Sequence, residues 1–141
     1  MIENALSSRI ALVTGGDSGI GAACARALAA AGADTALTYL DDADGAAKTA
    51  DDIASMGRRA LALCSDVRQK VAVEECFERV SAKLGVPDIL VNSAGLNMSG
   101  VEVADMSLET WEKGGYFYNI PLMFMDGAAA VTGQGNGWRR P

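Results

Sequence analysis

Gly15, Gly19 and Gly21 stand between a four-residue apolar run, residues 10–13, and a segment whose apolar residues repeat at helical spacing. An Ile-Ala-Leu-Val run that stops at Thr14 and a glycine suits a short strand buried on both faces of a parallel sheet. Beyond the glycines, Ile20, Ala23, Cys24, Ala27, Leu28 and Ala31 recur three and four residues apart, which predicts one core-facing stripe of a helix. Strand, glycine turn and helix lead on to a crossover and a second parallel strand. The junction also has a chemical consequence. The first turn of a helix offers N–H groups without intrahelical partners and the positive end of its dipole, so the loop from Thr14 to Gly21 is a candidate anion site. Gly15 permits a sharp turn, Gly19 keeps a Cβ out of an anion's approach, and Gly21 lets helix and strand pack closely. A glycine-rich turn with no ligand would read the same way taken alone.

The alternation continues. Residues 35–40 read as a second strand, and Asp41, Asp42 and Asp44 place acid at the start of a second helix, which runs to about Met56 and stops at Gly57. Residues 60–64 make a third strand. Ser65 or Asp66 is positioned to cap a third helix with the stripe Val73, Cys76, Phe77, Val80 and Leu84, closed by Gly85 with Pro87 beyond. Residues 89–91 form a fourth strand, ending at Asn92-Ser93-Ala94-Gly95. Three βα units and a further strand predict an α/β fold: a Rossmann-like parallel sheet of order 3-2-1-4 with helices on both faces, half of a doubly wound domain.

Composition narrows the chemistry. Twelve Lys+Arg against 18 Asp+Glu leave a net charge of −6, which disfavours a nucleic-acid backbone as partner. The chain has no His, so imidazole bases, His-dependent triads and His-ligated metals are excluded, and no metal site is expected. Cys24, Cys64 and Cys76 are odd in number and far apart, and they read as small core residues of a reduced, cytoplasmic protein. The amino terminus lacks the apolar core of a signal peptide, and no run approaches the roughly twenty residues of a spanning helix, so no membrane is expected.

Three ordered motifs resemble the short-chain dehydrogenase/reductase family across about residues 8–113. They are Thr14-Gly15 with Gly19-Ile20-Gly21, Asp66-Val67 after the third strand, and Asn92-Ser93-Ala94-Gly95 after the fourth. The TGGDSGIG and SAGLNMSG segments are similar to the glucose-dehydrogenase-like branch. The resemblance implies that Gly15, Ser18, Gly19, Ile20 and Gly21 cradle the pyrophosphate of a nicotinamide dinucleotide. Asp66 would accept a hydrogen bond from the adenine amine beside Val67, and Asn92, Ala94 and Gly95 would line the way to the ribose and nicotinamide. Two plainer roles stand beside these: Asp66 as a helix cap, and Asn92 as a pin for the strand end. Tyr39 occupies the position that often holds a ribose-binding Asp. With Asp41 and Asp42 following and no Lys or Arg there or in the glycine loop, NAD is favoured over NADP.

The family's reaction, hydride transfer at a carbonyl/alcohol pair, uses a Tyr as general acid/base with a Lys four residues later that favours the phenolate. No Tyr-x-x-x-Lys occurs in this chain: Tyr39, Tyr116 and Tyr118 are followed at that spacing by Ala43, Ile120 and Leu122. Tyr116, Tyr118 and Asn119 are the weak catalytic candidates that remain, with Lys113 upstream of all three. Residues 114–141 hold six of the 16 Gly and show no periodicity, so they read as an irregular, aberrant or disordered tail on a dinucleotide-binding half spanning 1–113. Three readings follow: an oxidoreductase represented by its cofactor-binding half, a catalytically silent dinucleotide-binding fragment, or a module pairing with a full-length relative. A free edge on the fourth strand would also favour self-association.

Overall fold

The computed structural model describes residues 4–95, 105 and 107–109. Among them β1 (Ile10–Thr14), α1 (Gly19–Ala30), β2 (Asp34–Tyr39), α2 (Ala43–Ser55), β3 (Ala60–Cys64), α3 (Lys70–Lys83) and β4 (Ile89–Asn92) alternate without interruption. Every strand pairing is parallel and the order is β3-β2-β1-β4, as the alternation requires. Leu12 lies opposite Ala36 and Leu90, and Val13 opposite Leu37 and Val91. This register brings the carboxyl ends of all four strands to one edge.

Side chains alternate across each strand, so neighbouring residues serve different layers. Leu12, Ala36 and Leu63 point to the face covered by α3, where they meet Val73, Cys76, Phe77, Val80 and Leu84. Val13 and Leu37 point to the opposite face and meet Ala25 and Ala29 of α1 with Ala46 and Ile53 of α2. Phe77, 1% exposed, is the largest fully buried side chain among the described residues. Burying it contributes roughly 1.5–3 kcal/mol.

Three local expectations are corrected. Of the expected α1 stripe, Cys24 and Leu28 pack against the core and Ala31 is buried, but Ile20, Ala23 and Ala27 are exposed and Gly21, Ala22, Ala25 and Ala29 are buried in their place. The helix is apolar all round apart from Arg26, so hydrophobicity does not choose a face. Position does: Gly21, Ala22, Ala25 and Ala29 lie on the side towards the sheet, whereas Ala23 and Ala27, equally small, lie away from it. Next, α3 begins at Lys70 with Gln69 in the cap position, Gln69 makes no side-chain cap bond, and neither Ser65 nor Asp66 caps the helix. A turn closed by Gln69 N on Asp66 O comes between strand and helix, and the Ser65 hydroxyl instead donates to Ala72 O at 3.2 Å. Last, Cys76 is a core residue and Cys24 is half-buried, but Cys64 ends the edge strand β3 and is exposed. Burial pushes the Cys76 thiol up to about 11, against a smaller pull from Arg79, so it is inert near neutral pH.

Polar contacts hold the two ends of the sheet differently. At the amino ends, Arg59 donates from its backbone N–H (2.9 Å) and Nε (2.8 Å) to the Asp34 carboxylate, and its guanidinium reaches Leu84 O at 3.0 Å. Arg9 and the Ile10 N–H share Asp88 at 2.7 and 2.9 Å. At the carboxyl ends, the buried Thr14 hydroxyl accepts from Ser93 N and Ala94 N, both at 3.0 Å, and so pins the loop after β4 to the end of β1.

Two tests follow from these contacts. Burial alone would raise the Asp34 carboxyl, but the Arg59 backbone and guanidinium bonds, with the nearby charge of Arg58, hold it below its ordinary value of 3.8. A folded-state pKa below the unfolded one gives stability that is complete above that value and fades as pH falls through the folded pKa. Asp34→Asn is therefore expected to cost about 1 kcal/mol at neutral pH. In paired urea melts the difference from the parent should shrink as the pH falls below 3.8. Thr14→Val leaves two N–H groups without an acceptor and should cost about 1–3 kcal/mol. Hydrogen exchange should speed up first at the amides of Ser93 and Ala94.

Candidate functional site

The turn from β1 into α1 is built by close backbone packing. Gly16 N donates to Thr38 O at 2.9 Å, and a Cβ on Gly16 would lie 2.5 Å from Leu37 Cβ. Gly15 has φ +65, and a Cβ there would lie 2.8 Å from Ala94 Cα. A Cβ on Gly21 would overlap the Gly15 carbonyl oxygen. Packing alone thus requires glycine at these three positions.

Gly19 is different. It has φ +52, and a Cβ there would meet nothing within 4 Å. It opens α1 directly after Ser18, whose extended backbone carries an exposed hydroxyl that makes no cap bond, and the first turn holds no acidic residue. The N–H groups of that turn therefore lack the side-chain oxygen that usually satisfies them. An open left-handed glycine beside uncapped N–H groups matches the needs of a phosphate group.

Next to this turn a groove of about 180 Å³ lies across the carboxyl ends of the strands. Of the residues singled out in the sequence, Gly15, Tyr39, Asp66, Val67, Ala94 and Gly95 line it, together with Asp17, Thr38, Leu40, Asp41, Asp42 and Ser65. Ser18, Gly19 and Ile20 are exposed on the adjoining turn, Ile20 at 77%. Gly21 is buried beneath them, and Asn92 is exposed at the end of β4 without lining the groove. Sites for whole small molecules are typically about 300–1,000 Å³, so this groove takes part of such a ligand, with the remainder on the glycine turn. Tyr116, Tyr118, Asn119 and Lys113 lie outside the described residues.

The charged lining is mostly acidic. Asp17, Asp41 and Asp42 belong to it, and the Asp42 carboxylate caps α2 by accepting from Gly45 N at 2.9 Å. Asp66 Oδ1 accepts from Arg68 N (3.0 Å) and Nε (2.9 Å), while Oδ2 accepts from the guanidinium at 2.7 Å. These bonds, against a smaller opposing effect of burial, hold the Asp66 carboxyl below the usual carboxylate range. The same pairing, aided by the charge of Asp41, keeps Arg68 firmly protonated. Among the described residues no group of three or more His, Cys, Asp or Glu could hold a metal ion.

Sequence reasoning passed over three residues that shape this site. Thr14 pins the loop after β4, Gly16 closes the turn against β2, and Arg68 clamps Asp66. The Gly15-Gly16 pair was a visible signal for the second. The roles of Thr14 and Arg68 depend on partners that only the folded chain brings near.

A protein-family model described as short chain dehydrogenase matches residues 9–119. General stress protein 39 of Bacillus subtilis is 38% identical over 104 residues, which are 74% of this chain and 36% of that protein. A cis-4-hydroxycyclohexanecarboxylate dehydrogenase of Sinomonas cyclohexanicum is 37% identical over 109 residues, 77% of this chain and 43% of the relative. The crystal structure of a short chain dehydrogenase from Burkholderia cenocepacia in complex with NADP superposes with a TM-score of 0.82 at 40% identity, covering 89% of this chain and 51% of that one. This chain therefore spans about half the length, or less, of these relatives. The parallel sheet, the glycine turn at the end of β1 and the family match agree, and the chain belongs to the short chain dehydrogenase family.

Proposed function

We propose that this chain is the dinucleotide-binding half of an NAD(P)-dependent oxidoreductase acting on carbonyl/alcohol pairs. The observation that carries the reading is the open Gly19 position beside the uncapped first turn of α1, next to a groove ending at Asp66. The pyrophosphate would rest on the N–H groups around Ser18, Gly19 and Ile20. The adenosine would enter the groove, with Asp66 accepting from the adenine amine and Val67 beside the ring. Ala94 and Gly95, with Asn92 at the strand end, would face the ribose and nicotinamide. When bound, the nicotinamide supplies a hydride acceptor or donor, and this chain's part is to hold and orient it.

NAD is the favoured cofactor. Asp17, Asp41 and Asp42 line the groove, and the nearby cation Arg68 is already paired with Asp66, so a 2′-phosphate would meet more negative than positive charge. The Burkholderia relative holds NADP, which makes NADP the natural competitor in the test. The TGGDSGIG and SAGLNMSG segments support the glucose-dehydrogenase-like branch and a sugar or polyol substrate. Residues 1–113 form the binding half in this reading and 114–141 a separate tail. The odd, unpaired cysteines suit the cytoplasm, and no helix among the described residues is long and apolar enough to cross a membrane.

A second reading, binding without turnover, is favoured by the absence of Tyr-x-x-x-Lys from the 141 residues. An alcohol panel with bound NAD separates the two: turnover that Tyr116→Phe or Tyr118→Phe abolishes supports the enzyme, and binding with no turnover supports the silent form. In either case calorimetry should show NAD binding more tightly than NADP. Gly19→Ala should weaken NAD at least tenfold while the folded state loses only about 1–2 kcal/mol, the strain of a left-handed residue. No heat with either dinucleotide at millimolar concentration would sink the assignment.

Self-association completes the reading. Among the described residues β4 pairs with β1 alone, and its Ile89, Leu90 and Val91 are only half-buried. An unpaired edge of this kind is a template for another chain, a second copy or a longer family member. Sedimentation velocity should give a weight-average mass that rises with concentration, and a constant monomer mass would refute this.

A further inference from the structure

We infer that Arg68 is a positioning residue that makes Asp66 a single-acceptor reader of adenine, distinguishing the 6-amino purine from its 6-oxo counterpart. This rests on the proposed dinucleotide site and deepens it.

An ionised carboxylate offers about four lone-pair sites. Arg68 takes three of them: its backbone N–H and Nε both donate to Oδ1, and its terminal nitrogen donates to Oδ2. The fourth, on Oδ2, has no partner among the described residues, and Asp66 lines the groove. The clamp also fixes the direction of that acceptor. A guanidinium fork joined to a backbone bond two residues away resists rotation of the carboxylate in a way that a single contact cannot. The Asp66 and Arg68 side chains are 24% and 34% exposed, so the pair is partly shielded from water and its geometry is held.

The consequence lies in base identity. Adenine presents an N–H donor at its 6-position and an acceptor at N1, whereas hypoxanthine presents a carbonyl oxygen at the 6-position and an N–H at N1. A carboxylate fixed with one outward acceptor bonds the amine and repels the 6-oxo group. Once released from Arg68, the carboxylate has more free acceptor sites and can turn towards the N1 hydrogen of hypoxanthine, so the distinction fades. A site that hydrogen-bonds one group rejects an analogue lacking it because its polar atoms are then left unpaired.

The test compares NAD with nicotinamide hypoxanthine dinucleotide by calorimetry on the full chain. The unaltered protein should prefer NAD by at least about tenfold, the size of one well-made hydrogen bond to a charged group. Arg68→Gln should weaken NAD by roughly tenfold and bring the ratio of the two affinities close to one. Arg68→Lys keeps the cation but not the planar fork, so it should recover part of the affinity without the preference. That split is not expected of a merely structural role, because general loosening would weaken both ligands equally. Where Arg68→Gln proves unfolded by circular dichroism, Arg68→Lys carries the same comparison. An unchanged ratio in a folded Arg68 variant overturns this inference while the dinucleotide site stands. Failure of the unaltered chain to bind either dinucleotide overturns both.

Discussion

The geometry of the site depends on the contact of Gly21 with the carbonyl of Gly15. No side chain can occupy that space, so the first turn of α1 is pressed directly onto the turn that leaves β1. Two further close approaches fix the same turn, Gly15 against Ala94 and Gly16 against Leu37, and they couple it to the loop after β4 and to β2. Interiors packed at near-crystalline density transmit such contacts without slack. The uncapped N–H groups around Gly19 are thereby held by backbone alone. A binding surface made this way loses little side-chain entropy when a ligand arrives.

Thr14 extends that logic to the neighbouring strand. In the β1–β4 register Thr14 lies opposite Asn92, and its hydroxyl turns back to accept from the next two amides. The crevice between β1 and β4 is where the strand order reverses, the place at which open α/β sheets bind ligands. The plainer expectation gave Asn92 the job of pinning the strand end. Thr14 pins that loop, and Asn92 is left exposed at the crevice.

Much of this was legible before any coordinates. Short apolar runs set apart by glycine gave each strand to within one residue, and the stripe from Val73 to Leu84 named the buried face of α3 correctly. These succeed because period and punctuation are local. The face of α1 is legible only in part: Cys24, Leu28 and Ala31 are packed inward or buried, but Ile20, Ala23 and Ala27 are as apolar as Gly21, Ala25 and Ala29, and only the distance to the sheet separates them. Asp66 as a cap failed for a related reason. The sequence contains an acid before a helix, but not the turn that places Gln69 at the start of α3 and leaves the carboxylate to Arg68. Within the site, Gly15, Tyr39, Asp66, Val67, Ala94 and Gly95 line one groove, because each ends or follows a strand and the parallel strands end at the same edge.

The placement of charge shows how one sheet serves two purposes. At the amino edge, Arg59 with Asp34 and Arg9 with Asp88 join the ends of neighbouring strands, and the Arg59 cation also meets the carbonyls that close α3. Cations there oppose the negative end of the helix dipole, so the arrangement is self-consistent and needs no ligand. At the carboxyl edge the order is inverted. The positive end of α1 has no side-chain cap and no acid in its first turn, and the groove beside it collects Asp17, Asp41 and Asp42. A protein selected for stability alone would place a Ser, Thr or Asp side-chain oxygen on those N–H groups, gaining about 1 kcal/mol. Ser18 stands at the right position, in the extended conformation usual for a cap, yet it bonds none of them, and its hydroxyl donates to Asp17 Oδ2 at 3.5 Å. At this carboxyl edge Asp42 caps α2 and Thr14 pins the loop after β4, whereas the start of α1 lacks the oxygen that a phosphate would supply.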